Sequence, residues 1–231
     1  IYEYITKPRI ESAISGKTTE GEAINGDYKF AHEFPMANGF EENAVEAALR
    51  IKDEIEANII VLSVGDDFET EVVKKPIAMG ADELILVQDK VVANLDSFGT
   101  AHVIERAISK LAGADLILCG RQASDWDNAQ VPLGISEILD ISCVTGARVI
   151  EKREEAVFAH SSNPNGYEVI QADLPALITV NNEIGEPRYP TLRGIMQASR
   201  KSPELWSLED LGVDINKIHN TMTLTELYIP V

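Results

Sequence analysis

The chain's most constraining feature is its repeated exchange of short apolar runs for stretches with apolar residues at helical spacing. Tyr2–Thr6, Ile59–Val64, Glu83–Val87 and Asp115–Cys119 read as strands, and Lys7–Pro8 closes the first because proline cannot donate to a ladder. Between them, Ala44, Val45, Ala48, Leu49, Ile51 and Ile55 recur on one helical face after a helix entry at Ala37–Phe40, with Glu42, Glu46 and Lys52–Glu54 outside. Phe68–Met79 reads as a second helix stopped at Gly80, and Ser97–Leu111 as a third. Glu11–Lys29, with Gly16, Gly21 and Gly26 among polar residues, reads as an excursion. Residues 1–140 therefore predict a Rossmann-like α/β fold, a parallel sheet with helices on both faces. After Leu139, Cys143–Lys152, Glu155–His160 and Tyr167–Ala172 read as an antiparallel strand excursion, with a turn at Asn163–Gly166 and a short strand at Ala176–Val180.

With 38 acids against 20 bases the net charge is −18, which disfavours a nucleic-acid partner or an anionic membrane surface. No apolar run reaches the roughly 20 residues of a membrane helix, and no secretory signal is evident. The two cysteines, Cys119 and Cys143, read as core thiols of a cytoplasmic protein. The chain begins at Ile1 rather than Met, so a preceding residue is expected to be removed or absent.

The strand ending at Cys119 opens into the polar segment Gly120, Arg121, Gln122, Ala123, Ser124, Asp125, Trp126, Asp127, Asn128, Ala129, Gln130 and Val131. Ligands of open α/β sheets bind at such strand ends. Asp125 and Asp127 admit a metal reading, against the plainer one of helix capping. Pro132 places the helix start at or near itself, because proline is tolerated at the first helical position. The whole span is then a loop rich in backbone N–H groups before a helix N-terminus, an anion site. No glycine-rich phosphate loop, HExxH or GxSxG is present, and His32, His102, His160 and His219 are scattered. The residues alone suggest an adenine-nucleotide-type ligand, no metal and no catalytic group.

Asn181 onward is loop-like, and its charge is reversed. Between Glu186 and Lys201 stand four bases (Arg188, Arg193, Arg200, Lys201) and one acid, 4 − 1 = +3. Leu192, Ile195 and Met196 share one face of a short helix. Two readings stand: a basic loop packing those residues onto its own core, or a docking loop with an apolar tip and a basic rim. The expected division is a nucleotide-binding domain over 1–180, including the meander 143–180, and a partner-recognition and C-terminal segment over 181–231.

Five segments in order resemble the beta subunit of electron-transfer flavoproteins: NGFEENAVEAALRIKDE at 38–54, AMGADELILV at 78–87, LILCGRQASDWDNAQV at 116–131, LPALITVNNEIGEPRYPTLRGIMQASRK at 174–201 and DLGVD at 210–214. The resemblance implies a heterodimer whose alpha subunit carries the electron-transferring FAD, partly shielded by beta. It implies AMP in the beta site, or a second FAD in electron-bifurcating members that draw on NADH. By position, the nucleotide site falls on Ile5, Asn38, Gly39, Phe40, Glu41, Val64 and 120–131, and the site for a flavin dehydrogenase of the acyl-CoA dehydrogenase type on Leu192, Arg193, Ile195 and Met196. Such a subunit is an electron carrier rather than a substrate-converting enzyme. DWDNAQV is similar to the bifurcating members' D-x-D-T-A-Q-V, with Asn128 in place of Thr, and Pro132 follows where they have Gly. The first strand, YEYITKPR, departs from the family's more apolar one, and the expected tail embracing alpha does not follow DLGVD before Val231. The alternatives are a stand-alone adenine-nucleotide sensor of the same superfamily and a metal-dependent transferase using Asp125 and Asp127.

Overall fold

The computed structural model describes residues 40–123, 127–153, 156–215, 218 and 222, with Thr70 and Glu71 described by backbone alone. The expectations for Tyr2–Thr6, the excursion at 11–29, Ile5, Asn38, Gly39, Ser124 and Asp125 lie outside these residues. The elements are α1 (Phe40–Glu54), β1 (Ile60–Gly65), α2 (Thr70–Val73), α3 (Lys75–Met79), β2 (Glu83–Gln88), α4 (Ser97–Lys110), β3 (Leu116–Gly120), α5 (Val131–Leu139), β4 (Ser142–Arg153), β5 (Ala156–Asn163), β6 (Gly166–Asp173), β7 (Ala176–Val180), α6 (Leu192–Arg200) and β8 (Glu204–Trp206). Short 3₁₀ turns sit at Lys90–Asn94 and Asn182–Ile184.

The described strands form two sheets, ordered β1-β2-β8 and β3-β7-β4-β5-β6. The first is wholly parallel. In the second, β3, β7 and β4 run parallel and the β5–β6 hairpin extends them antiparallel. The predicted meander thus prolongs a parallel sheet.

Helices cover both faces because alternate strand residues point to opposite sides. On one face, α1 packs Ala44 and Ala47 on Ile178 and Val180 of the second sheet, and Leu49 with Leu84 and Leu86 of the first. On the other face α4 does the same: Val103 packs with Ile85 and Val87, and Ala101 with Leu177. Leu62 of β1 and Ile117 of β3 belong to that last cluster, so α1 and α4 bind the two sheets into one layered body.

Two expectations are corrected. The helix read over Phe68–Met79 breaks at Lys74 into α2 and α3, because Pro76, at the start of α3, has no N–H to continue the earlier turn. Glu46 is buried, at 4% exposure, rather than outside. The thiols of β3 and β4 pack against a core cluster as expected, though each keeps some exposure; burial, with Cys143 close by, pushes Cys119 up to about 12, so it stays protonated at neutral pH. β8 was not anticipated; its three residues extend the first sheet beside β2.

Asp82 ties α1 to the strand that follows. Its carboxylate accepts the Ile59 N–H at 2.8 Å and pairs with Lys52, and its main-chain oxygen accepts from Lys201. Burial pushes the Asp82 carboxyl up, but the Lys52 and Ile59 hydrogen bonds and the charges of Lys52 and Lys201 outweigh it, leaving it below the usual 3.8. A depressed carboxylate gives stability that is complete above the unfolded value and lost as pH falls through the folded one. Asp82→Asn should therefore lower stability above about pH 4 and flatten the acid limb of the stability curve below it, measured by urea unfolding across pH.

Candidate functional site

The site is built at the carboxyl end of β3, where Gly120 meets the first turn of α1. A Cβ on Gly120 would lie 2.8 Å from both the carbonyl carbon and the Cβ of Phe40, and 2.9 Å from the Glu41 nitrogen. Two backbones approach this closely only because residue 120 has no side chain. The structure thus brings Phe40 and Glu41 against the first residue of the polar loop. Val64, next to last in β1, has its side chain in the core beside Ile85 and Val87.

The Arg121 N–H donates to the Val180 carbonyl at 2.9 Å, which extends the β3–β7 pairing one residue into the loop. The chain then closes on itself: the Asp127 N–H donates to the Ala123 carbonyl at 3.0 Å, and Gln122 Nε2 donates to Asp127 Oδ1 at 2.6 Å. Asp127 caps no helix; its carboxylate holds the loop, and Gln130 is the residue before α5, without a side-chain cap. Among the described residues, no three His, Cys, Asp or Glu side chains gather as a metal site requires.

Asp127 and Ala129 hold φ of 53° and 54°, a left-handed conformation that costs a non-glycine residue roughly 1–2 kcal/mol. Gln130 follows at φ −95°, ψ −33°, and α5 opens at Val131 with Pro132 in its first turn. A left-handed residue before a right-handed one curls successive N–H groups into a concave nest, here continuous with a helix N-terminus. No hydrogen bond among the described residues takes up the N–H of Ala129, Gln130 or Val131. Strain of this kind persists where the surroundings over-determine it. Along the loop Arg121, Asn128 and Gln130 are exposed, and Gln122, Ala123, Ala129 and Val131 are half-buried.

The segment 184–188 lies along α1, and α6 beyond it packs on α3. Asn43 Nδ2 donates to the Gly185 carbonyl at 2.9 Å, and Arg50 Nη1 donates to the Ile184 carbonyl. Glu46 accepts from the Arg188 N–H at 3.0 Å, from Arg188 Nε at 2.9 Å and Nη2 at 3.2 Å, and from Arg50 Nε at 2.9 Å. Arg188 Nη2 also reaches Asp53 Oδ2 at 2.8 Å. Burial pushes Glu46 up, yet these donors outweigh it and hold the carboxyl below its usual range. The same bonds raise the Arg188 guanidinium above its ordinary value. Neither Glu46 nor Arg188 was marked as a site residue; the one cue was an arginine between Pro187 and Tyr189 in an otherwise loop-like stretch.

Beyond this clamp, Thr191 caps α6 by accepting the Gly194 N–H at 3.0 Å. Gly194 lies so close to α3 that a Cβ there would sit 2.2 Å from the Ala78 oxygen. Gly194 and Ala198 are the buried positions of α6. Leu192, Ile195 and Met196 are 76%, 51% and 51% exposed, so they do not pack on the chain's own core, and Tyr189 is 91% exposed. Arg193 is exposed beside them.

Residues 35–211 match the family model described as the electron transfer flavoprotein domain. The chain belongs to the electron-transfer flavoprotein family, among its beta subunits. It is 36% identical over 184 residues to the electron transfer flavoprotein subunit beta of Thermoanaerobacterium thermosaccharolyticum, covering 79% of this chain and 70% of that protein. It is 40% identical over 171 residues to the subunit beta of Megasphaera elsdenii, covering 71% of this chain and 63% of that protein. It is 37% identical over 179 residues to the caffeyl-CoA reductase-Etf complex subunit CarD of Acetobacterium woodii, covering 77% of this chain and 68% of that protein.

The approach at Gly120 is the most demanding point of the site. Gly120→Ala should displace the first turn of α1 and cost about 1–3 kcal/mol in urea unfolding. Amide exchange should rise in residues 40–46 and 121–123 while β5 and β6 stay protected.

Proposed function

We propose that this chain is the beta half of a cytoplasmic heterodimeric electron-transfer flavoprotein and holds an adenine nucleotide on the 120–131 loop. The observation that carries the reading is the nest of N–H groups at Ala129, Gln130 and Val131, set at the start of α5. Such a cradle suits the phosphate of AMP or the diphosphate of FAD. Arg121, exposed at the start of the loop, is the base proposed to offset phosphate charge, and Phe40 and Glu41 border the loop at Gly120. Asp127, held by Gln122, is kept for the loop's own geometry. Ile5, Asn38, Gly39, Ser124 and Asp125 complete the assignment from the sequence pattern.

Of the two nucleotides, the Asp127–Val131 stretch DNAQV favours FAD, and with it the bifurcating type that draws on NADH. When bound, the flavins supply the electron-transfer chemistry. This chain's residues bind and orient the nucleotide, shield it beside the alpha subunit, and present a partner surface. That surface is the exposed face of α6: Leu192 is its apolar anchor, flanked by Ile195 and Met196 and rimmed by Arg193. Its partner is a flavin dehydrogenase of the acyl-CoA dehydrogenase type. The name of the Acetobacterium woodii relative, a subunit of a CoA-ester reductase complex, points the same way.

The test is to purify the chain with its alpha subunit, denature the complex and identify the released nucleotides by chromatography. Two FAD per heterodimer are expected. One FAD and one AMP would make it a plain carrier, and no nucleotide beyond the alpha flavin would overturn the site assignment. In the same complex, Leu192→Ala should raise the KM of an acyl-CoA dehydrogenase for the heterodimer about tenfold, the loss of a central apolar anchor. An unchanged KM would remove α6 as the docking surface.

A further inference from the structure

The docking face stands on a base whose chemistry is separate from it. Residues 184–188 are held along α1 by four of its side chains: Asn43, Glu46, Arg50 and Asp53. Glu46 is the centre, at 4% exposure, and the Arg188 main-chain N–H donates to it as well as the guanidinium. A contact to main chain and side chain at once fixes both the path of the backbone at 188 and the direction of the residue. Pro187 and Pro190 bracket Arg188 and Tyr189, with Thr191 next, so few backbone torsions lie between the clamp and the first residue of α6. Gly194 against Ala78 gives the helix its second fixed point. Tyr189 and Leu192, the two most exposed large apolar residues of the described chain, lie between those points.

We infer that Arg188, held by Glu46 and Asp53, is a positioning residue for partner recognition that presets Tyr189 and Leu192 as two anchors on a rigid arm. It touches neither nucleotide nor flavin by this account. It acts by keeping the arm in its docking conformation before the dehydrogenase arrives, so that ordering costs are not met during association. Tyr189 is the specificity element: an aromatic anchor suits a partner surface with a second apolar pocket beside the one that takes Leu192. This inference rests on the docking reading of α6.

The experiment uses the alpha–beta heterodimer and, as probe, a purified bacterial short-chain acyl-CoA dehydrogenase charged with its acyl-CoA. Steady-state reduction of the heterodimer's flavin by that dehydrogenase gives the dehydrogenase's KM for the heterodimer and its kcat. If the docking conformer falls to about a tenth of the population, the apparent KM rises about tenfold at near-constant kcat. Arg188→Met and Glu46→Gln should both do this, Arg188→Lys should recover part of the loss, and Asp53→Asn should have a smaller effect. Tyr189→Ala should raise KM without loosening the arm, and Arg188→Met should speed amide exchange in 186–194 but not in 121–131. The bound nucleotide should remain stoichiometric.

If Arg188→Met behaves as the parent while Leu192→Ala is impaired, the positioning role is overturned and the docking reading survives. If both are silent, both fall. If Arg188→Met, Arg188→Lys and Asp53→Asn lose nucleotide and change KM and kcat together, the clamp is only structural and the inference is overturned.

Discussion

A carboxylate in the interior governs the arrangement. Glu46 sits on a helix face that otherwise buries Asn43, Ala44, Ala47 and Leu49. Taking an ion out of water costs several kcal/mol unless partners replace its hydration. Glu46 has that replacement in two guanidinium groups and one backbone N–H. The segment 184–188 is therefore a requirement of α1, since without Arg188 the helix carries a buried charge short of donors. The dependence also runs the other way. This segment has no ladder to either sheet, so its side-chain and main-chain bonds to α1 give it its path.

α1 is consequently shared by two surfaces. Its first turn closes on Gly120 at the mouth of the polar loop, and its flank carries the clamp. From Phe40 to Asp53 the helix rises about 20 Å, so loop and arm are referred to one rigid rod. The rod is itself fixed to both sheets, by the small residues Ala44 and Ala47 on one and by the larger Leu49 on the other. Small side chains let helix and strand backbones approach, the same condition that Gly120 meets in its extreme form.

What the sequence made legible follows from the range of the interactions involved. The runs at Ile59–Val64, Glu83–Val87 and Asp115–Cys119, the helical periodicities of α1 and α4 and the Asn163–Gly166 turn are decided within a few residues, and among the described residues each appears where periodicity and turn chemistry placed it. Pro132 marked the start of α5 to within a residue, because a missing N–H is a local fact. Glu46 was misplaced because its partner is 142 positions away, and helical periodicity assigns a charge to solvent unless something distant claims it. β8 was invisible because three residues carry no alternation; its pairing with β2 is set by tertiary packing around Trp206 and Leu208. The left-handed Ala129 was hidden for another reason. Alanine has no preference for positive φ, so the loop's closure imposes it, and composition does not announce it.

The exposed face of α6 needs the same kind of account. At nine residues the helix is shorter than the ~12–15 at which isolated helices become even marginally stable in water. Its apolar side chains do not supply the missing stability, since Leu192, Ile195 and Met196 face outward. The helicity must come from its narrow inner side and its ends: Gly194 and Ala198 against α3, the Thr191 cap, and a preceding segment already pinned at Arg188. A helix held by small residues and end contacts keeps its large residues unspent. Large apolar side chains exposed on a rigid, basic-rimmed support are a poor design for a solitary protein and a good one for recognition. In the proposed reading their burial waits for a partner, while the backbone that carries them is already ordered. On the proposed docking reading, the interior ion pair and the exterior apolar patch belong to one device: the first fixes the backbone that the second requires.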